Sequence, residues 1–246
     1  MSRKNHLSRL AAPKTWPIKR KGIKWIVKPK PGPHNQEYSL PLVSVCRDVL
    51  GITRTVKETK QILNKGHVLV NNTIRKEHKF PAGLFDVVSI PPVNEHHRIV
   101  VNKLGKLAII KIPEKEATII PLKVISKTSV KGNKTQINFN NGWNLQTKEK
   151  LSVGDVALVD LKTKKITKAI KQQKGNTVFI IDGKHQGKLA ELKDIKETGK
   201  LRKTKIAVIQ VGKDTWETPL DYTFVVGEKK SELTLQSSVS GGTKQQ

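Results

Sequence analysis

The chain carries 47 Lys and Arg against 20 Asp and Glu, a formal net charge of +27 over 246 residues. A compact fold with so much like charge repels itself unless a counter-charge neutralises it. A polyphosphate backbone is the natural neutraliser, because each Lys or Arg placed on a phosphate releases a condensed counterion. The basic residues run through the whole chain, so the folded surface itself is expected to be covered by nucleic acid. That surface belongs to small modules: the length suits two or three domains better than one large core. Hydrophobic residues make up 36% and aromatics 4%, and the Val, Ile and Leu present are enough for small β-rich cores.

Several classes fall away. Cys46 is the sole cysteine, which excludes an intramolecular disulfide and a cysteine-based zinc site; it reads as a small buried apolar residue on a helix. No apolar run approaches the ~20 residues that span a bilayer, so no membrane partner is expected. The start, Met1-Ser2-Arg3-Lys4-Asn5-His6, is basic with no apolar stretch behind it, and a cytoplasmic location is expected. Asn71-Asn72-Thr73 and Asn133-Lys134-Thr135 read as chance glycosylation patterns. The seven histidines, His6, His34, His67, His78, His96, His97 and His185, show no metal-ligand spacing. No cofactor is expected.

Residues 1–40 read as an extended basic arm, because Pro13, Pro17, Pro29, Pro31 and Pro33 break any long helix. Arg3, Lys4, Arg9, Lys14, Lys19, Arg20 and Lys21 are its candidate RNA contacts. The arm is expected to be weakly ordered without RNA and separable from the body, although Trp16 and Trp25 are apolar enough to anchor it. Residues 41–94 form a helix, helix, hairpin, strand unit. Val43, Cys46 and Leu50 recur at helical spacing and Gly51 ends that helix. Thr55-Val56-Lys57-Glu58 fits a capping box that starts a second helix, and Asn71-Asn72 sits where a hairpin needs positive φ. Residues 95–173 carry repeated strand signals and read as a small antiparallel β domain, with Asn140-Asn141-Gly142 as a hairpin turn. Residues 174–236 hold a further β domain opening on Val178-Phe179-Ile180-Ile181, and residues 237–246 read as a disordered tail. The fold class is α+β, mainly β.

Two local patterns point to RNA. The second helix places its N-terminus and a Lys stripe beside the hairpin, so helix amides and Lys heads can meet phosphates together. Its candidate contacts are Thr53, Arg54, Lys57, Lys60, Asn71, Asn72 and Arg75. Thr53-Arg54 and Lys65-Gly66-His67-Val68-Leu69-Val70-Asn71 resemble the RNA-binding domain of bacterial ribosomal protein S-four. Asn71-Asn72 stands where that family commonly has Asn-Gly, and its frequent Gly-Asp before the last strand is missing. The second pattern is Gly183-Lys184-His185-Gln186-Gly187-Lys188, a basic Gly-bounded loop between strands that resembles the KOW motif. These six residues are its candidate contacts, and the motif's usual second-strand glycine is Ala190 here.

The longest resemblance starts at His6-Leu7-Ser8-Arg9-Leu10-Ala11-Ala12-Pro13-Lys14-Thr15-Trp16-Pro17-Ile18 and continues through Pro31-Gly32-Pro33-His34 and Leu40-Pro41-Leu42. It ends on Trp216-Glu217-Thr218-Pro219-Leu220-Asp221-Tyr222-Thr223-Phe224-Val225-Val226-Gly227. These segments resemble the archaeal and eukaryotic small-subunit ribosomal protein four-e (S-four-e) family over about residues 2–228. The resemblance implies an arm, an S-four-like domain, a central β domain and an SH3-like KOW barrel. It also implies direct binding to small-subunit ribosomal RNA, neighbouring small-subunit proteins as partners, no homo-oligomer, and a ribosome-bound structural role. An enzyme is not expected: Asp48 lies in the first helix of the binding unit, and Gly183-Lys184 lacks the spacing of a phosphate-binding loop. The alternatives are a KOW-type transcription elongation factor and an RNA-modification accessory protein.

Overall fold

The computed structural model describes residues 6–131, 134–147, 150–198, 204–212 and 214–235. Arg3, Lys4 and the tail at 237–246 lie outside these residues. The described residues are mainly β, with short α-helices in the first half and a 3-10 turn at Leu220–Tyr222.

Strands β1 (Leu7–Ser8) and β2 (Trp25–Ile26) pair antiparallel at the start of the chain. Strand β3 (Ser39–Pro41) leads into α1 (Leu42–Ser44), which continues as a π-helical turn over Val45–Val49. The expected first helix is therefore present but wider in its second half, with Leu50 donating to the Val45 carbonyl at 2.9 Å. Helix α2 (Val56–Asn64) starts where Thr55 accepts the Glu58 amide at 3.2 Å. Glu58 reaches back to the Arg54 amide at 2.9 Å, one residue beyond the reciprocal bond of a capping box. Strands β4 (Leu69–Val70) and β5 (Thr73–Ile74) enclose Asn71 and Asn72 at φ 49° and 59°, the pair of left-handed residues that a two-residue hairpin turn demands.

Strand β6 (Pro81–Gly83) pairs with β3. Strands β7 (Val87–Ile90), β8 (Glu95–Val101) and β9 (Leu107–Lys111) complete a sheet of order β5-β4-β7-β8-β9. This sheet runs straight across residues 94–95, where the sequence reading placed a boundary. Val87 pairs with Arg98 and Ile90 with Glu95, so Pro91-Pro92-Val93-Asn94 is a tight turn inside a hairpin, closed by Asn94 at φ 52°. A Pro-rich stretch reads alike as linker or as turn until the strands on either side are seen to pair.

After α3 (Glu114–Ala117) come β10 (Ile119–Val130), β11 (Lys134–Phe139), β12 (Asn144–Thr147), β13 (Val156–Asp160) and β14 (Ile166–Ile170), an antiparallel sheet of order β12-β11-β10-β13-β14. The last sheet, order β18-β17-β16-β15-β19, comprises β15 (Thr177–Ile180), β16 (Leu189–Thr198), β17 (Thr204–Val211), β18 (Asp214–Pro219) and β19 (Thr223–Gly227).

The three sheets share one core. Phe85, which precedes β7, sits 4.4 Å from the Phe224 ring and 6.0 Å from the Phe179 ring, all three buried. Phe85 holds φ 67°, so this one residue adopts the left-handed conformation at the place where the glycine of the Gly-Asp pair is missing. Lys123 of β10 donates to the Thr223 carbonyl at 2.9 Å, and burial holds its pKa below the ordinary lysine value. Tyr38 donates to Asp182 at 2.6 Å.

The arm over 6–40 is part of this body. Trp16 is 1% exposed, its indole donates to the Gln36 carbonyl at 3.1 Å, and Leu107 of β9 donates to the Thr15 carbonyl at 2.7 Å. The expectation of a separable arm is thus corrected over these residues: a large aromatic ring with its N–H satisfied is a core residue. Trp25 is 51% exposed, beside His6 and Lys24.

Candidate nucleic-acid interface

Helix α2 buries Thr59 and Leu63 and turns Lys57 and Lys60 to solvent. Its one acid, Glu58, is held back toward the Arg54 amide, which keeps its carboxyl below the usual range. No carboxylate of the helix therefore faces its lysines. Arg54 and Asn72 are exposed on the same unit. Two expected contacts are used internally instead. Thr53 is buried with its hydroxyl 2.7 Å from that of Thr59. The Asn71 amide donates to Asp86 at 2.7 Å and accepts the Val87 N–H at 2.9 Å. Asp86 also takes the Gly83 amide and the His34 ring, so one buried carboxylate ties the arm to the hairpin. Arg75 lies over the Phe80 ring at 4.5 Å.

In the arm, Lys14, Lys19 and Lys21 are exposed. The two described arginines are not free. Arg20 donates to the carbonyls of Ala12 and Pro13 at 2.7 Å each and of Arg9 at 3.2 Å, and Arg9 donates to the Lys19 carbonyl at 2.9 Å. They shape the loop that presents the lysines, because a guanidinium fork can satisfy several converging carbonyls at once.

In the last sheet, Lys184 is exposed with its ammonium 5.3 Å from the Trp216 ring, and His185 packs on the same ring at 4.4 Å. Burial, then Lys188 and Lys184, hold the His185 imidazole below its ordinary pKa. Gly183 has φ 92° at the exposed end of the loop. Gly187 is buried against the β8–β9 turn: a methyl added there would lie 2.4 Å from the Asn102 carbonyl carbon and 2.7 Å from the Lys103 nitrogen. Gln186 in turn covers Gly105. Gly187, expected as an RNA contact, thus makes its close approach to protein backbone instead. Gly187→Ala, with φ 74° and no room for a Cβ, is expected to destabilise the protein by about 2 kcal/mol in denaturant unfolding; unchanged stability would mean that the two turns do not interlock.

The interlock brings Lys103 and Lys106, both exposed, beside the KOW-like loop. Sequence reasoning passed over them, although Asn102-Lys103-Leu104-Gly105-Lys106 carries the same signal as Gly183 to Lys188, a glycine among lysines between two strands. The site offers cations and donors. The sole thiol, Cys46, is buried and pushed up to about 12, unsuited to nucleophilic work.

These features define a mainly β protein with basic turns and a basic helix face on a common core. Residues 93–166 match the family described as Ribosomal family S4e, and residues 1–37 match the RS4NT (NUC023) domain. The small ribosomal subunit protein eS4 of Methanosphaera stadtmanae is 38% identical over 235 residues, covering 96% of this chain and 97% of that protein. The eS4 of Nanoarchaeum equitans is 37% identical, covering 92% and 96%. The crystal structure of the 30S ribosomal protein S4e from Thermoplasma acidophilum superposes with a TM-score of 0.67 at 30% identity, covering 78% of this chain and 96% of that one. The chain belongs to the S4e family of ribosomal proteins.

Proposed function

We propose that the chain is a structural component of the small ribosomal subunit that binds small-subunit ribosomal RNA directly and supports its folding and assembly. It is a structural constituent and not an enzyme, as its family is ribosomal. The observation that carries the RNA reading is that separate basic surfaces rest on one core, in which Phe85 meets Phe179 and Phe224 and buried Trp16 holds the arm. They are the α2 face with Arg54, Lys57, Lys60 and Asn72, the arm with Lys14, Lys19 and Lys21, and the KOW-like loop with Lys184 and Lys188. Surfaces fixed relative to one another can match phosphates at fixed spacing on a folded RNA, whose helices are recognised by shape. Arg9, Arg20, Thr53, Asn71 and Gly187 support these surfaces from behind.

The modules follow from this reading: an arm, an S-four-like unit that by sheet continuity reaches Lys111, a central β domain, and an SH3-like KOW domain from about residue 174. Neighbouring small-subunit proteins are its other partners, and its place is on cytoplasmic ribosomes.

Fractionating a lysate on a sucrose gradient tests the proposal. The chain is expected to sediment with the small subunit and to leave it in high salt. Co-purification with RNA polymerase, or a chain found only at the top of the gradient, would overturn it in favour of an elongation factor or an accessory protein.

A further inference from the structure

A half-open cavity of about 290 Å³ lies where the arm, the β4–β5 hairpin and the β11–β12 turn meet, walled by Pro33, Asn71, Arg75, Phe80, Asn141 and Trp143. Two of its walls carry nitrogen atoms that are shut off from solvent and bonded to nothing. Asn141 is 3% exposed; its Oδ1 accepts the Trp143 N–H at 3.1 Å, and its Nδ2 has no partner. That bond also fixes the amide orientation, because only the oxygen can accept the N–H. The Arg75 guanidinium carbon lies 4.5 Å from the centre of the Phe80 ring, and its Nε has no partner either. Buried donors in folded proteins find acceptors, so two orphans lining one cavity mark the place of an acceptor-bearing group.

We propose that this cavity receives a single unstacked nucleobase of the ribosomal RNA, a small rotation of each side chain bringing Asn141 Nδ2 and Arg75 Nε onto its carbonyl or ring-nitrogen acceptors. This inference rests on the RNA-binding reading above and assigns a pocket within it. Trp143 supplies an aromatic face of the kind on which splayed-out bases stack, and the Arg75 guanidinium, backed by Phe80, serves the same purpose. Asp86 lines the same cavity, and its carboxylate is already occupied by Asn71, His34 and Gly83. The Asp86 carboxylate offsets the charge of the Arg75 guanidinium on the same wall, so the cavity has no net positive charge to hold a phosphate and suits a neutral acceptor better. The exposed Asn72 and the α2 lysines stand on the same unit, where they can hold the backbone on either side of the extruded base.

The test compares two isoelectronic substitutions in the full chain. Asn141→Asp keeps the oxygen that accepts the Trp143 N–H and replaces the orphan donor by an acceptor. Asn144→Asp adds the same charge at an exposed position three residues away. Asn141→Asp is expected to weaken binding to folded small-subunit RNA by about 10- to 100-fold more than Asn144→Asp, while both variants bind an unrelated structured RNA alike. Ultraviolet crosslinking of the wild-type complex, read by mass spectrometry, is expected to place a nucleotide on the peptide holding Phe80 or Trp143. Equal affinities for the two variants would mean that the cavity holds water only, and crosslinks confined to other peptides would also overturn the proposal. Should Asn141→Asp lose its thermal transition, the wild-type crosslink decides. A wild-type chain with no preference for small-subunit RNA overturns the ribosomal reading itself, a result distinct from these.

Discussion

Phe85→Ala is expected to cost about 3–5 kcal/mol of folding stability, the range for removing a large buried ring. The ring is 1% exposed and touches Phe179 and Phe224, which belong to the last sheet, while Phe85 itself introduces β7 of the first. Its loss therefore opens a cavity between modules and not only within one. The backbone adds a second, unusual feature. At φ 67° an Ala is strained and a Gly is not. Phe85→Gly is thus expected to be less damaging than Phe85→Ala, the reverse of the order in most positions. Denaturant unfolding of the two variants measures both effects. If Ala proves the milder substitution, the left-handed conformation of residue 85 is wrong; if neither costs more than about 1 kcal/mol, the modules do not share this core. The same contacts imply that residues 41–94 do not fold alone, because β7 would lose β8 and Phe85 both of its partner rings.

Affinity for small-subunit RNA is expected to fall by about three to five orders of magnitude between roughly 50 and 200 mM salt, the behaviour of a protein that neutralises about six to ten phosphates. The structure says which cations to test. Lys14, Lys19, Lys21, Arg54, Lys57, Lys60, Lys103, Lys106 and Lys184 are exposed. Changing one of them that sits on a phosphate to Gln is expected to lower the slope of log affinity against log salt by about one unit, with the fold intact. Arg20→Gln is expected to act differently, lowering thermal stability because the Arg9, Ala12 and Pro13 carbonyls lose their common donor. A slope near zero for the wild-type chain would mean that stacking and shape dominate over phosphate contacts. A fall in slope for Arg20→Gln at unchanged stability would return that residue to the RNA face.

What could be read from the sequence was what neighbouring residues decide among themselves. The Asn71-Asn72 turn, the Thr55 cap and the Gly51 stop each depend on φ, ψ and hydrogen bonds within a few residues, and each stands where its local chemistry placed it. The charge excess is a sum over residues and pointed to a polyanion before any fold was known. The mainly β class followed from short β-branched runs between Gly, Pro and charge. The S-four-e resemblance added family membership through long matched segments, which no single periodicity could supply.

What only the tertiary structure decided was which polar groups are spoken for. Thr53, Asn71, Arg9 and Arg20 have the right chemistry for RNA, yet their donors and acceptors meet partners inside the fold. Gly187 makes its close approach to Asn102, 85 residues earlier in the numbering of the same chain. Pro91 to Asn94 became a turn and not a linker only when β7 and β8 paired. The orphaned amide of Asn141 is meaningful only beside Arg75 and Trp143 in one cavity. The physical reason is common to all of them. Whether a donor is free, or a Cβ has room, depends on atoms brought in from distant segments, and a local pattern carries no record of those neighbours.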